Sequence, residues 1–196
     1  MNSKKIIVAN WKMFPPTLQE AEDLYRASGN TIVCPPFVYL EELSKIESEA
    51  ILGAQDIAVS DELGQTGEVS GEMLTRLEVK YVIIGHSERR WKLGESDEII
   101  NRKLKLALAH GLTPIVCIGE KSRDANFVMF LRDQAMSTFA GLSSEQVEKC
   151  LIVYEPVWAI STTPGGRPDT PESALESISI IKKILNTKYK IQNNLF

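Results

Sequence analysis

The chain has 196 residues, of which 43% are hydrophobic and 24% charged, the composition of a globular domain with one substantial core. Its 26 acidic and 22 basic residues give a net charge of -4, so a nucleic-acid partner or an acidic membrane surface, either of which needs a clustered basic face, is not expected. A small anionic substrate is still compatible, because it needs only one or two local cations and some aimed backbone N–H groups.

The first apolar run, residues 5–10, is too short for a signal peptide and is soon followed by Lys12. No later run approaches the ~18 apolar residues of a membrane span, and a cytoplasmic protein is expected. Further short runs follow at residues 31–34, 50–54, 81–86, 113–118 and 150–155. All are rich in β-branched residues and apolar on both faces, the pattern of parallel strands buried on two sides. Between them lie helix-like segments at 17–28, 37–48, 71–77, 96–110, 124–139 and 170–186. Several carry boundary signals: Ser96 stands before Asp97-Glu98, Gly111 follows His110, and Thr170-Pro171-Glu172 opens the last. The β/α alternation runs through residues 1–196 without a linker, which predicts a single domain. Periodicity alone leaves two architectures open, a doubly wound sheet and most of a (β/α)8 barrel.

Cys34, Cys117 and Cys150 are odd in number, widely spaced and without a paired CxxC, so neither a disulfide framework nor a zinc site is suggested. Polar residues instead gather where the apolar strands run out. Asn10 and Lys12 follow the first, His86 the fourth and Glu155 the sixth. In a parallel α/β protein these strand ends share one face, so residues distant in sequence converge at a single mouth. A carboxylate directly after Leu151-Ile152-Val153-Tyr154 is sheltered and suited to act as a base. A carboxylate, an imidazole and an ammonium together support proton abstraction beside a carbonyl, with no cofactor and no metal. No GxGxxG, GxxxxGK[ST] or HExxH pattern speaks for nucleotide or zinc chemistry.

Three segments are distinctive: Ala9-Asn10-Trp11-Lys12-Met13, Ile84-Gly85-His86-Ser87-Glu88-Arg89-Arg90 and Tyr154-Glu155-Pro156-Val157-Trp158-Ala159-Ile160. In order and in register they resemble the active-site signatures of the triosephosphate isomerases. Gly53-Ala54-Gln55, Thr66-Gly67-Glu68-Val69-Ser70 and Cys117-Ile118-Gly119-Glu120 add to the likeness. The resemblance implies a (β/α)8 TIM-type barrel that interconverts dihydroxyacetone phosphate and glyceraldehyde 3-phosphate. Glu155 would be the base, and His86 a neutral imidazole electrophile, as is known for this family. Lys12 would balance the substrate charge, Asn10 would line the oxyanion side, and Glu88 would orient its neighbours. Ser161 would offer its backbone N–H to the phosphate.

Two departures from the family qualify this. Residues 161–168 read Ser161-Thr162-Thr163-Pro164-Gly165-Gly166-Arg167-Pro168 where the family has a glycine- and lysine-containing lid. The chain also holds about six βα units, two fewer than a closed barrel of roughly 250 residues. Weakened phosphate binding and open edges at the first and sixth strands are therefore expected. Self-association would cover them, with loop 60–67 reaching a neighbouring subunit and the tail 191–196 contributing. The alternatives are a catalytically impaired, oligomeric or sugar-phosphate-binding protein that keeps the fold, and a fragment completed by two more βα units.

Overall fold

A computed structural model describes residues 5–62, 64–161 and 163–191. Along the chain the elements are β1 Val8–Asn10, α1 Leu18–Ala27, β2 Ile32–Cys34, α2 Phe37–Ser44, β3 Ile51–Ala54, α3 Gly71–Arg76, β4 Tyr81–Ile84 and α4 Ser87–Lys92. They continue with α5 Asp97–Ala109, β5 Thr113–Ile118, α6 Phe127–Thr138, α7 Ser144–Val147, β6 Leu151–Tyr154, a 3-10 turn Val157–Ala159 and α8 Pro171–Tyr189. Helix starts follow the expected chemistry. The hydroxyls of Thr17, Ser70, Ser96 and Thr170 each accept a backbone N–H three residues on, satisfying a donor that the first turn leaves free.

The six strands are all parallel and adjacent in chain order, β1 to β6, curled into an incomplete barrel. Because successive side chains point to opposite faces, each strand feeds two cores. Val33, Val82, Ile84, Val116, Ile118 and Ile152 pack outward under the helices with Leu40, Leu104, Leu131 and Ile181. Ile32, Cys34, Ile83, Ile115 and Cys117 pack together on the concave side. Burial on both faces holds for the inner strands and fails at the edges. β1 is only half buried, Val153 of β6 is 37% exposed, and Ile6 and Ile7 just before β1 are 57% and 62% exposed. Among the described residues β1 and β6 each pair on one side only.

Differences from expectation lie mostly in element length. β1 begins at Val8 rather than at Lys5, α2 ends at Ser44 rather than near 48, and α8 runs on to Tyr189. The short helices α4 and α7 lack the apolar periodicity that marks longer ones; α7 is instead fixed by a reciprocal capping box between Ser143 and Gln146. Of the expected tail, residues 192–196 lie outside the described residues. Among the described residues no helix is long and apolar enough to cross a membrane.

Beyond the end of β3, the buried side chains of Asp56, Glu95 and Lys103 gather under the half-buried Arg89. Lys103 Nζ lies 2.6 Å from both Asp56 Oδ2 and Glu95 Oε1, and Arg89 Nη2 lies 2.7 Å from the same two oxygens. The network ties the end of β3 to α4 and α5. Asp56 Oδ1 and Glu95 Oε2 are buried without a partner among the described residues. Burial pushes the Asp56 carboxyl up to about 6 from 3.8, against the pull of Lys103 and Arg89. Glu95 goes the other way: burial would raise it, but hydrogen bonds from Arg89 and Lys103 prevail and hold it below the ordinary value.

A raised acid stabilises the fold while it is protonated and loses that contribution as pH rises through its folded value. Asp56→Asn removes the ionisation. It also takes a counter-charge from the buried Lys103, which sets an offset independent of pH; relative to wild type the variant is expected to lose Tm as pH falls from about 6 to 4, where wild-type Asp56 takes up its proton. Thermal melts of both proteins across that window check this; a difference in Tm independent of pH would contradict it.

Candidate active site

The C-terminal ends of β1, β4 and β6 carry the polar residues to one mouth. After Asn10 the backbone turns at Lys12, whose φ of 53° is in the left-handed region, a conformation costing a residue with a Cβ on the order of 1–3 kcal/mol. Hydrogen bonds hold it there. The Lys12 N–H donates to Asn10 Oδ1 at 3.0 Å, and Gln55 Nε2 donates to the carbonyls of Lys12 at 2.7 Å and Cys34 at 3.0 Å. The Lys12 ammonium, so directed, reaches Glu88 Oε1 at 3.3 Å.

His86 is the N-cap of α4, and its Nδ1 accepts the Glu88 backbone N–H at 3.2 Å. A ring nitrogen that accepts carries no proton, so the single proton of the neutral imidazole sits on Nε2. That atom is 2.8 Å from Glu155 Oε1. Two more donors meet the same carboxylate: the Ser87 N–H at 2.9 Å from Oε2 and the Ser87 hydroxyl at 3.2 Å from Oε1. Both side chains of the pair are sheltered, 13% and 16% exposed. Burial would raise the Glu88 carboxyl, but the hydrogen bond from Lys92 and the charge and hydrogen bond of Lys12 outweigh it and hold the group below its ordinary value. Glu88 thus links the ammonium of Lys12 to the N-cap that orients His86.

The backbone of Glu155 is seated on the loop after β5. Its N–H donates to the Ile118 carbonyl at 2.8 Å, and the Val157 N–H donates to the Glu120 carbonyl at 3.0 Å. A Cβ on Gly119 would fall 1.9 Å from the Glu155 carbonyl oxygen, so only glycine lets the two backbones approach. Glu120 Oε1 accepts the Tyr154 hydroxyl at 2.8 Å and the Trp158 indole N–H at 3.0 Å. Burial, with the facing Glu120 carboxylate, pushes the Tyr154 hydroxyl above its ordinary value and keeps it a donor.

Ser161 is exposed on the following loop, outside this bonded set. The loop is tied to itself: the N–H groups of Thr163, Gly166 and Arg167 donate to Ile160 O, Thr163 O and Trp158 O, and the Thr163 hydroxyl donates to Val157 O. Asn10, Lys12, His86, Glu88 and Glu155 are brought together. Sequence reading gave no role to Ser87, Gln55, Gly119 or Glu120, although each lies in a segment quoted above. Their work is contact between loops, which has no period along the chain.

A six-stranded parallel sheet with a carboxylate and an imidazole opposed at its C-terminal mouth defines an enzyme of the TIM-barrel class. The profile of the triosephosphate isomerase family matches residues 5–195. Among named relatives, the triosephosphate isomerase of Thermoanaerobacter pseudethanolicus is 38% identical over 95% of this chain and 79% of its own length. Those of Clostridium botulinum strain Loch Maree and Carboxydothermus hydrogenoformans are 41% and 40% identical, over 94% and 93% of this chain and 78% and 76% of theirs. The chain belongs to the triosephosphate isomerase family.

Gly119→Ala is expected to push the Glu155 backbone away, costing about 1–3 kcal/mol of stability by overpacking. Chemical denaturation measures the loss; an unchanged midpoint would contradict the close approach.

Proposed function

We propose that this chain, acting as a single domain over residues 1–196, interconverts dihydroxyacetone phosphate and glyceraldehyde 3-phosphate. The observation that carries the reading is the His86 Nε2 to Glu155 Oε1 distance of 2.8 Å at the mouth of the sheet. Glu155 removes a proton from the carbon beside the carbonyl, and the His86 Nε2–H hydrogen-bonds the carbonyl oxygen as negative charge develops there. An enediolate forms, the hydroxyl proton passes by way of His86 to the former carbonyl oxygen, and Glu155 returns its proton to the former carbonyl carbon as the other oxygen becomes the carbonyl. Atoms and charge balance without a cofactor.

Entry of substrate requires the Glu155 carboxylate to leave the Ser87 donors and turn toward the carbon. Lys12 supplies the cation beside the substrate, Asn10 holds Lys12 in its turn and faces the oxyanion side, and Glu88 steadies both Lys12 and His86. The Ser161 N–H is assigned to the phosphate. Weak phosphate binding is supported by the loop itself, whose other N–H groups at Thr163, Gly166 and Arg167 are spent internally, while Pro164 has none.

Self-association belongs to the same proposal. Beside Lys12, Met13 is 89% and Phe14 71% exposed, an apolar surface that a second copy would cover. Sedimentation at micromolar concentration is expected to give a dimer or larger; a well-folded monomer would contradict it.

A coupled isomerisation assay tests the reaction. Glu155→Gln is expected to lose about 10²–10⁴-fold in kcat, Glu155→Asp to fall between it and the wild type, and His86→Gln to lose on the order of 10²-fold. Equal rates for all four proteins would exclude the enzymatic reading.

A further inference from the structure

Arg123 lies in the connection between β5 and α6, and its one guanidinium reaches three other parts of the fold. Nη1 lies 3.3 Å from Glu120 Oε1 and 3.3 Å from the Tyr154 hydroxyl, and it donates to Ser177 Oγ of α8 at 2.5 Å. Nη2 donates to Glu176 Oε2, also on α8, at 2.9 Å, and the guanidinium stacks 3.8 Å from the Phe127 ring centroid. The Arg123 side chain is 18% exposed, whereas Glu120 beneath it is 1% exposed.

A carboxylate buried to that depth is costly unless a cation and donors compensate it. Tyr154 and Trp158 supply neutral donors to Oε1, and Oε2 has no partner among the described residues, so the compensating charge comes from Arg123. Tyr154 and Trp158 are the residues one before and three after Glu155. The segment between them, which carries Glu155, is thereby gripped at both ends by one carboxylate.

We infer that Arg123 is a positioning residue for the base: it holds Glu120, Glu120 holds Tyr154 and Trp158, and the span between them sets where Glu155 stands. Through Ser177 and Glu176 the same guanidinium makes that placement depend on α8, the helix that follows the 161–168 loop. Lysine would keep the charge but not the fork, since one ammonium cannot face Glu120 and Tyr154 on one side and Ser177 and Glu176 on the other. The inference rests on Glu155 being the base.

The test pairs a spectroscopic readout with a kinetic one in the intact chain. The ¹H–¹⁵N spectrum has three indole signals, from Trp11, Trp91 and Trp158, and Trp158→Phe identifies the third. Arg123→Gln is expected to move the Trp158 indole signal and to lower kcat about 10–100-fold with KM changed far less, the pattern of a displaced catalytic group. Arg123→Lys should recover part of kcat, and Glu176→Gln, at the exposed outer tie, should lower it by about twofold to fivefold. An unmoved indole signal in Arg123→Gln overturns the inference, and so does a moved signal with unchanged kcat. If Arg123→Gln does not fold, the Ser177→Ala/Glu176→Gln double variant decides on the same two readouts. Absence of wild-type turnover would instead sink the proposed reaction, and the indole signal alone would then judge the Arg123 grip.

Discussion

Parallel pairing of β4, β5 and β6 is the constraint on which the site depends. Ile84 stands opposite Val116, and Ile118 stands opposite Tyr154, so the chain leaves β4 and β6 at nearly the same level of the sheet. Two residues past the end of β4 is His86, and one past the end of β6 is Glu155. A slip of one position in either ladder would turn every inward side chain outward and part the two groups, so the buried faces of Ile83, Ile115 and Cys117 fix His86 against Glu155 as firmly as any direct contact.

Around that pair the polar groups form a chain rather than a cluster. Asn10 holds the Lys12 turn, Lys12 meets Glu88, the Glu88 N–H fixes the unprotonated nitrogen of His86, and the other His86 nitrogen faces Glu155. Each member has one side committed to the fold and one side turned to the mouth. Such an arrangement does its electrostatic work before substrate arrives, because the dipoles are already aimed. Behind Glu155, Gly119 lets the neighbouring backbone approach closely and Glu120 holds Tyr154 and Trp158 on either side of it.

The strands and the residues at their ends were legible in the sequence because both have simple signatures. An apolar β-branched run marks a buried parallel strand, and a polar residue at its end marks the mouth. Helix starts at Ser96 and Thr170 were legible by their capping chemistry. What sequence did not disclose was lateral. Nothing in the spacing of Gln55, Ser87 or Arg123 says that one braces Lys12, another bonds Glu155 and the third reaches α8, since these contacts join segments far apart in the chain. The Asp56–Lys103 pair was hidden for the same reason: charged residues are ordinarily solvated, and only packing showed these two buried.

Proton transfer through Glu155, if it carries the isomerisation, leaves an isotopic mark on the product. Turnover of glyceraldehyde 3-phosphate in D₂O tests it most directly, with the product examined by proton NMR. Dihydroxyacetone phosphate carrying solvent deuterium on the carbon that receives the proton is expected, because a carboxylate that holds the proton between two carbons exchanges it with water. Product formed at the full rate and free of deuterium, as a direct hydride shift would give, would contradict it.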